Sequence, residues 1–130
     1  MSFKPYKKEG GLTPWEEQPC SAITPKIGLA LYMSSGKLAI CPATTKPAYI
    51  SMEERDEAVT AGELINVIPV DDETLYETQA SVSISSIVPG DKVTIASDGL
   101  RVTATKTSGV AEVVDYDGTA AGAYVYVRFR

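Results

Sequence analysis

Histidine is absent from all 130 residues, and cysteine occurs only at Cys20 and Cys41. The first absence removes the commonest general base near neutral pH, and with it the Ser-His-Asp and Cys-His pairings of nucleophilic catalysis. The second leaves no C-x-x-C pattern, so neither a zinc signature nor a redox pair is present. Two reduced thiols that pack as small hydrophobes are the expected state. Long apolar runs are missing too: none approaches the roughly 18 residues needed to cross a bilayer, which argues against a membrane partner. The opening MSFKPYKKEGG carries lysines with no apolar stretch behind them. That is not the form of a secretory signal, and a soluble intracellular product is expected. A glycine-rich phosphate loop is also lacking. Gly90, Gly99, Gly109, Gly118 and Gly122 stand alone, at the spacing that successive hairpins produce.

Positive charge is in short supply. The net charge of -5 and the pI near 4.7 argue against a nucleic-acid binder, whose affinity rests on Lys and Arg neutralising phosphates. The charge is unevenly placed. Glu53 to Glu77 holds nine acids against Arg55 alone, whereas the first eight residues carry Lys4, Lys7 and Lys8 and no acid. This is either a solvated surface with a mobile end or a basic tail that meets an oppositely charged partner.

The apolar content is 44%, spread along the chain as Val, Ile, Ala and Leu. A chain of this length suits one domain, or one domain with an arm, because burial becomes efficient at about 100 to 150 residues. From 1 to 24 the sequence is broken by Pro5, Gly10, Gly11, Pro14 and Pro19, and no period persists. This reads as an irregular N-terminal arm ahead of a β-rich domain at 25–130. Its aromatic residues Phe3, Tyr6 and Trp15 suit an arm that orders by docking, or one that packs back on its own domain.

Short strands follow. KIGLALYMSSGKLAIC reads as a hairpin turning at Ser34-Ser35-Gly36. The acidic stretch after Met52 reads as a charged excursion, and Leu64 to Ile68 as a strand closed by Pro69. SVSISSIV reads as a half-buried strand. VPGDKVTIASDGLRVTAT pairs two alternating runs across Asp98-Gly99, a hairpin whose role is scaffold. The final stretch places Val125, Val127 and Phe129 on one face and Tyr124, Tyr126, Arg128 and Arg130 on the other. The first face is a core face; the second is rich in residue types favoured at protein contacts. Seven to nine short strands with almost no helix predict an all-β fold, a compact β-sandwich or β-barrel.

Carboxylates remain as possible catalysts, yet a glycosidase pair needs a sugar-sized cleft that a domain this small rarely builds. Asp117-Gly118-Thr119 lacks the Asp-Thr-Gly order of an aspartic protease and reads as a turn. Asp115 and Asp117 before Gly118 echo a calcium loop without its later ligands. No catalytic, cofactor-binding or metal-ligating residue is assigned, and no cofactor is expected. The chain is expected to act by occupying a surface rather than as an enzyme. Phe3, Tyr6, Trp15, Tyr124, Tyr126 and Arg128 are the candidate contact residues.

Ile27 to Ala39 (IGLALYMSSGKLA), Lys46-Pro47 followed by Tyr49-Ile50, Gly90-Asp91-Lys92-Val93, and Val125 to Arg128 together resemble the small capsid decoration proteins of tailed phages, also called cement or head auxiliary proteins. The likeness runs from Ile27 to Arg130. It departs from the family at Tyr49, where a glycine is expected, and in the acidic insert that follows. The resemblance implies a structural virion protein of a bacteriophage, made in the bacterial host cytoplasm and carried on the outer capsid surface. There it would bind the major capsid protein as a homotrimer and bridge capsomers. On this reading the Tyr/Arg strand face is a subunit or capsid contact, the Phe3 to Trp15 arm lies across a capsid seam, and deleting Met1 to Pro19 leaves the domain folded but weakens its attachment to shells. The alternative is a small β-barrel that binds carbohydrate or peptide on a platform of Tyr32, Tyr49, Tyr124 and Tyr126.

Overall fold

The protein is described by a computed structural model that covers residues 2–7 and 15–130. These residues form ten strands and no helix: β1 (Lys4–Lys7), β2 (Glu16–Pro19), β3 (Ala30–Ser34), β4 (Lys37–Ile40), β5 (Tyr49–Ser51), β6 (Leu64–Pro69), β7 (Leu75–Gln79), β8 (Lys92–Val93), β9 (Ala111–Tyr116) and β10 (Tyr124–Phe129). Two antiparallel sheets result. The first has the order β1-β7-β10-β9-β8 and the second β2-β6-β5-β3-β4. The all-β expectation holds.

The second sheet curls until its edges meet. Just beyond β2, Cys20 forms a parallel bridge with Leu38 of β4, and the Ser21 amide donates to the Leu38 carbonyl at 2.9 Å. The curled sheet therefore has two buried faces. Leu31, Ile65 and Val67 point inward to pack with Cys20, Leu29, Leu38 and Val59. Ala30, Ile50 and Ile68, the alternate positions, pack outward against the first sheet. Burial on both faces is why IGLALY and LINVI read as nearly continuous apolar runs. The main core lies between the sheets, where Phe3, Tyr76, Val113, Val125, Val127 and Phe129 join the outward face of the curled sheet. Each such large side chain stabilises the fold by about 1.5–3 kcal/mol through burial.

The arm expected at 1–24 is, in its described residues, part of both sheets. β1 pairs with β7 and β2 with β6, each as an edge strand. Prolines that suggested an irregular lead-in fit here because an edge strand has one side whose amide hydrogens need no partner. Phe3 is fully buried, its ring edge to face with Phe129 at 5.0 Å between centroids. A chain lacking Met1 to Pro19 would lose a core aromatic and an edge strand from each sheet, so the packing argues against the expectation that such a deletion leaves the domain folded. Lys8, Gly10, Gly11 and Pro14 lie outside the described residues.

The Ser34-Ser35-Gly36 hairpin forms as expected, with positive φ at Ser35 and Gly36. SVSISSIV does not make a strand. Its serines form local contacts, Ser83 Oγ accepting from the Ser85 amide, which offers the backbone an alternative to ladder pairing. Ile84 and Ile87 are buried by a turn instead, the Ile87 amide donating to the Ile84 carbonyl at 2.9 Å.

The Asp98-Gly99 segment is a narrow hairpin, with Ile95 bridged to Val102. It is not amphipathic, since Val93, Thr94, Ile95 and Ala96 are all buried. The hairpin is wedged between the sheets. At its tip the Gly99 carbonyl accepts the Ala30 amide at 2.8 Å, and a Cβ on Gly99 would lie 2.8 Å from Leu29 Cδ1 and 2.9 Å from Ile40 Cγ2. Scaffold is the role the packing gives it.

Candidate functional site

β10 carries the site because it is central in its sheet and alternates strictly. Val125, Val127 and Phe129 are buried, while Tyr124, Tyr126 and Arg128 face outward. Pairing sets their neighbours. Tyr124 lies opposite Gln79, and Tyr126 opposite Glu77 on β7 and Asp115 on β9. Arg128 lies opposite Glu112, which in turn lies opposite Lys92 of β8. A bulge at Val114 shifts the β9 register so that Asp115, rather than Val114, stands beside Tyr126.

A second bulge, in β1 between Pro5 and Lys7, brings Tyr6 onto the same face. Its ring sits 4.9 Å from that of Tyr126 with 53° between their planes. Tyr6 is 58% exposed and Tyr124 45%, large values for aromatic side chains on a flat sheet. Beside the ring pair opens a groove of about 370 Å³ lined by Tyr6, Leu75, Val114, Asp115, Tyr116, Asp117 and Tyr126.

The electrostatics of this groove are one-sided. Asp117 Oδ1 accepts the Tyr124 amide at 3.0 Å and Asp115 Oδ1 accepts the Tyr116 amide at 2.8 Å. Among the described residues neither carboxylate is in an ion pair. The Tyr126 phenol is pushed above its ordinary pKa, first by partial desolvation and then by its hydrogen bond to Glu77 and the charges of Glu77 and Asp117. At the far end of the face the signs balance, with Arg130 paired to Glu112 at 3.2 Å.

The sequence-selected contact residues thus separate into three groups. Tyr6, Tyr124, Tyr126 and Arg128 share one face. Trp15 is 62% exposed but stands immediately before β2, on the second sheet. Phe3 is core and offers no surface, because its ring is spent on Phe129. Tyr32 and Tyr49 lie on β3 and β5 of the second sheet and pack against the two cores. They cannot form a single stacking platform with Tyr124 and Tyr126. Glu77, Asp115 and Asp117 went unselected. Asp117 reads as a turn residue and Asp115 with it as an incomplete echo of a calcium loop, and only the β9–β10 bulge and the β1–β7 pairing bring them around a tyrosine.

A second cleft, of about 450 Å³, is lined by Ser2, Lys4, Lys26, Ile27, Glu54 and Leu100. The acidic excursion is anchored by Arg55, whose guanidinium bonds both Glu53 and Glu63. No three His, Cys, Asp or Glu side chains converge as a metal-binding group among the described residues, and none of the helices that would cross a membrane is found there.

No family model matches the sequence, and no curated protein does. Among solved structures the chain is similar to the N base of the head fiber gp8.5 of bacteriophage phi29, with a TM-score of 0.52 and 18% identity over 90% of this chain and 93% of that one. At that identity the likeness is one of fold, and it extends over nearly the whole of both chains.

Proposed function

We propose that this chain is a structural virion protein of a bacteriophage, held on the outer surface of the capsid, where it binds the major capsid protein and bridges capsomers. The observation that carries the reading is the similarity of fold, over 90% of the chain, to a protein described as the base of a phage head fiber. The resemblance of its short motifs to those of capsid decoration proteins supports the same reading. Attachment of this kind requires complementary area rather than a reactive group. The outer face of the first sheet supplies it in Tyr6, Tyr124, Tyr126 and Arg128, types that concentrate energy at protein contacts. A homotrimer belongs to the same proposal, since three copies on a symmetry axis present three identical contacts and gain avidity without a stronger single one.

The test is cosedimentation of the purified chain with mature and precursor heads of the phage that encodes it, with native mass spectrometry of the unbound protein. Saturable binding to mature heads and a trimeric mass are expected. Failure to bind either kind of head would sink the reading, and specific capture on a glycan array without head binding would replace it.

A further inference from the structure

We propose that the groove beside the Tyr6 and Tyr126 ring pair is a docking site for an arginine side chain presented by an extended segment of a partner protein. The inference stands on the geometry of the groove and does not require that the partner be a capsid. Three observations converge on it. The wall is aromatic and open: Tyr6 and Tyr126 stand 4.9 Å apart with planes 53° from each other, and Tyr6 is more than half exposed. A ring face of this kind attracts a planar cation by stacking and by its quadrupole.

The charged groups in reach are carboxylates, which only accept. Asp115 and Asp117 line the groove, each using one carboxylate oxygen on a backbone amide and, among the described residues, neither in an ion pair. Glu77 sits opposite Tyr126 on the neighbouring strand. The Tyr116 hydroxyl is turned away to the Ile87 carbonyl at 3.2 Å. Among the described residues no cationic side chain lines the groove. A guest that only donates hydrogen bonds and carries positive charge matches this set. A neutral sugar would leave the negative charge of the groove uncompensated.

Arginine fits better than lysine. Its guanidinium is flat enough to lie on a tyrosine ring while its fork reaches a carboxylate, whereas an ammonium is a compact and strongly hydrated point charge. The flanking residues Leu75 and Val114 provide apolar surface for the methylene stem.

The experiment titrates the full ¹⁵N-labelled chain with capped tri-arginine, tri-lysine and tri-glutamate peptides, following amide shifts and affinity by calorimetry. Tri-arginine is expected to bind saturably with shifts confined to β1, β9 and β10, tri-lysine more weakly, and tri-glutamate not at all. Asp115→Asn with Asp117→Asn, and separately Tyr126→Ala, should each weaken tri-arginine by about tenfold or more. If Tyr126→Ala fails to fold, Tyr6→Ala on the exposed edge strand reads the same wall. Asp56→Asn with Glu57→Gln, on the remote acidic excursion, should leave affinity unchanged. Equal loss in that control would mean general attraction to an acidic protein and would overturn the assignment. So would shifts of the same residues caused by sugars alone, or by self-association as the protein is concentrated. A chain that binds arginine here yet ignores phage heads would keep this inference and defeat the proposed function.

Discussion

Phe3 and Phe129 meet edge to face in the main core, 5.0 Å between ring centroids, and Tyr76 closes on the same Phe129 ring at 5.2 Å. Residues from β10, β7 and the approach to β1 are thus locked by one aromatic cluster. Phe3→Ala should cost about 3–5 kcal/mol of stability, the range for emptying a buried aromatic site. Tyr6→Ala, three residues on but at the surface, should cost about 1 kcal/mol. Urea unfolding of both variants gives the comparison, and equal midpoints would show that the first strand is not docked as described.

Gly36 and Gly99 both hold positive φ, +80° and +71°, but their surroundings differ. Nothing lies within 4 Å of a Cβ on Gly36, while a Cβ on Gly99 would press on Leu29 and Ile40. Asparagine tolerates this backbone region, so Gly36→Asn should lose about 1 kcal/mol or less. Gly99→Asn should lose about 3 kcal/mol, since overpacking adds to the backbone cost. Thermal melts of the two variants read the difference directly.

Arg55 holds Glu63 below its ordinary pKa, through their hydrogen bond first and the Thr60 amide second. A carboxylate whose folded pKa is depressed contributes stability that is fully present above its unfolded pKa and is lost as pH falls through the folded value. The stability gap between wild type and Glu63→Gln should therefore be widest near about pH 6 and close toward about pH 3. Urea midpoints across that range test it; a gap that widens on acidification would reverse the assignment.

Cys41 is buried and its thiol donates to the Thr45 carbonyl at 2.9 Å, and desolvation pushes its pKa up to about 12. Burial also raises Cys20, with Glu53 adding to it. Since the thiolate is the reactive form, neither cysteine should be labelled by a disulfide reagent at about pH 8 until the chain unfolds. Rapid labelling in native buffer would contradict the packing of both.

Much of this molecule could be read from periodicity. The alternation of β10, the serine-glycine hairpin of β3 and β4, and the strand ended by Pro69 all follow from local residue choice. Reading failed where distance along the chain decided the outcome. Pro5 and Pro19 look like breakers until β7 and β6 arrive to pair with one side of each strand. Ile84 and Ile87, three apart among serines, satisfy burial without a strand. Half of the candidate face was legible as a tyrosine and arginine stripe. The other half depends on long-range pairing: Glu77 on the β7–β10 register, and Tyr6 and Asp115 on two bulges that no local pattern announces.

β10 sits between β7 and β9 yet follows both in chain order. During synthesis its two neighbours therefore appear with a vacancy between them, each showing an unpaired edge and a bare apolar side to the cell. The β9–β10 hairpin can form locally, but its union with β7 closes a long stretch of chain, the kind of distant pairing that slows folding. Such an opening is where misassembled or aggregated copies would begin, and where a chaperone would find its first grip.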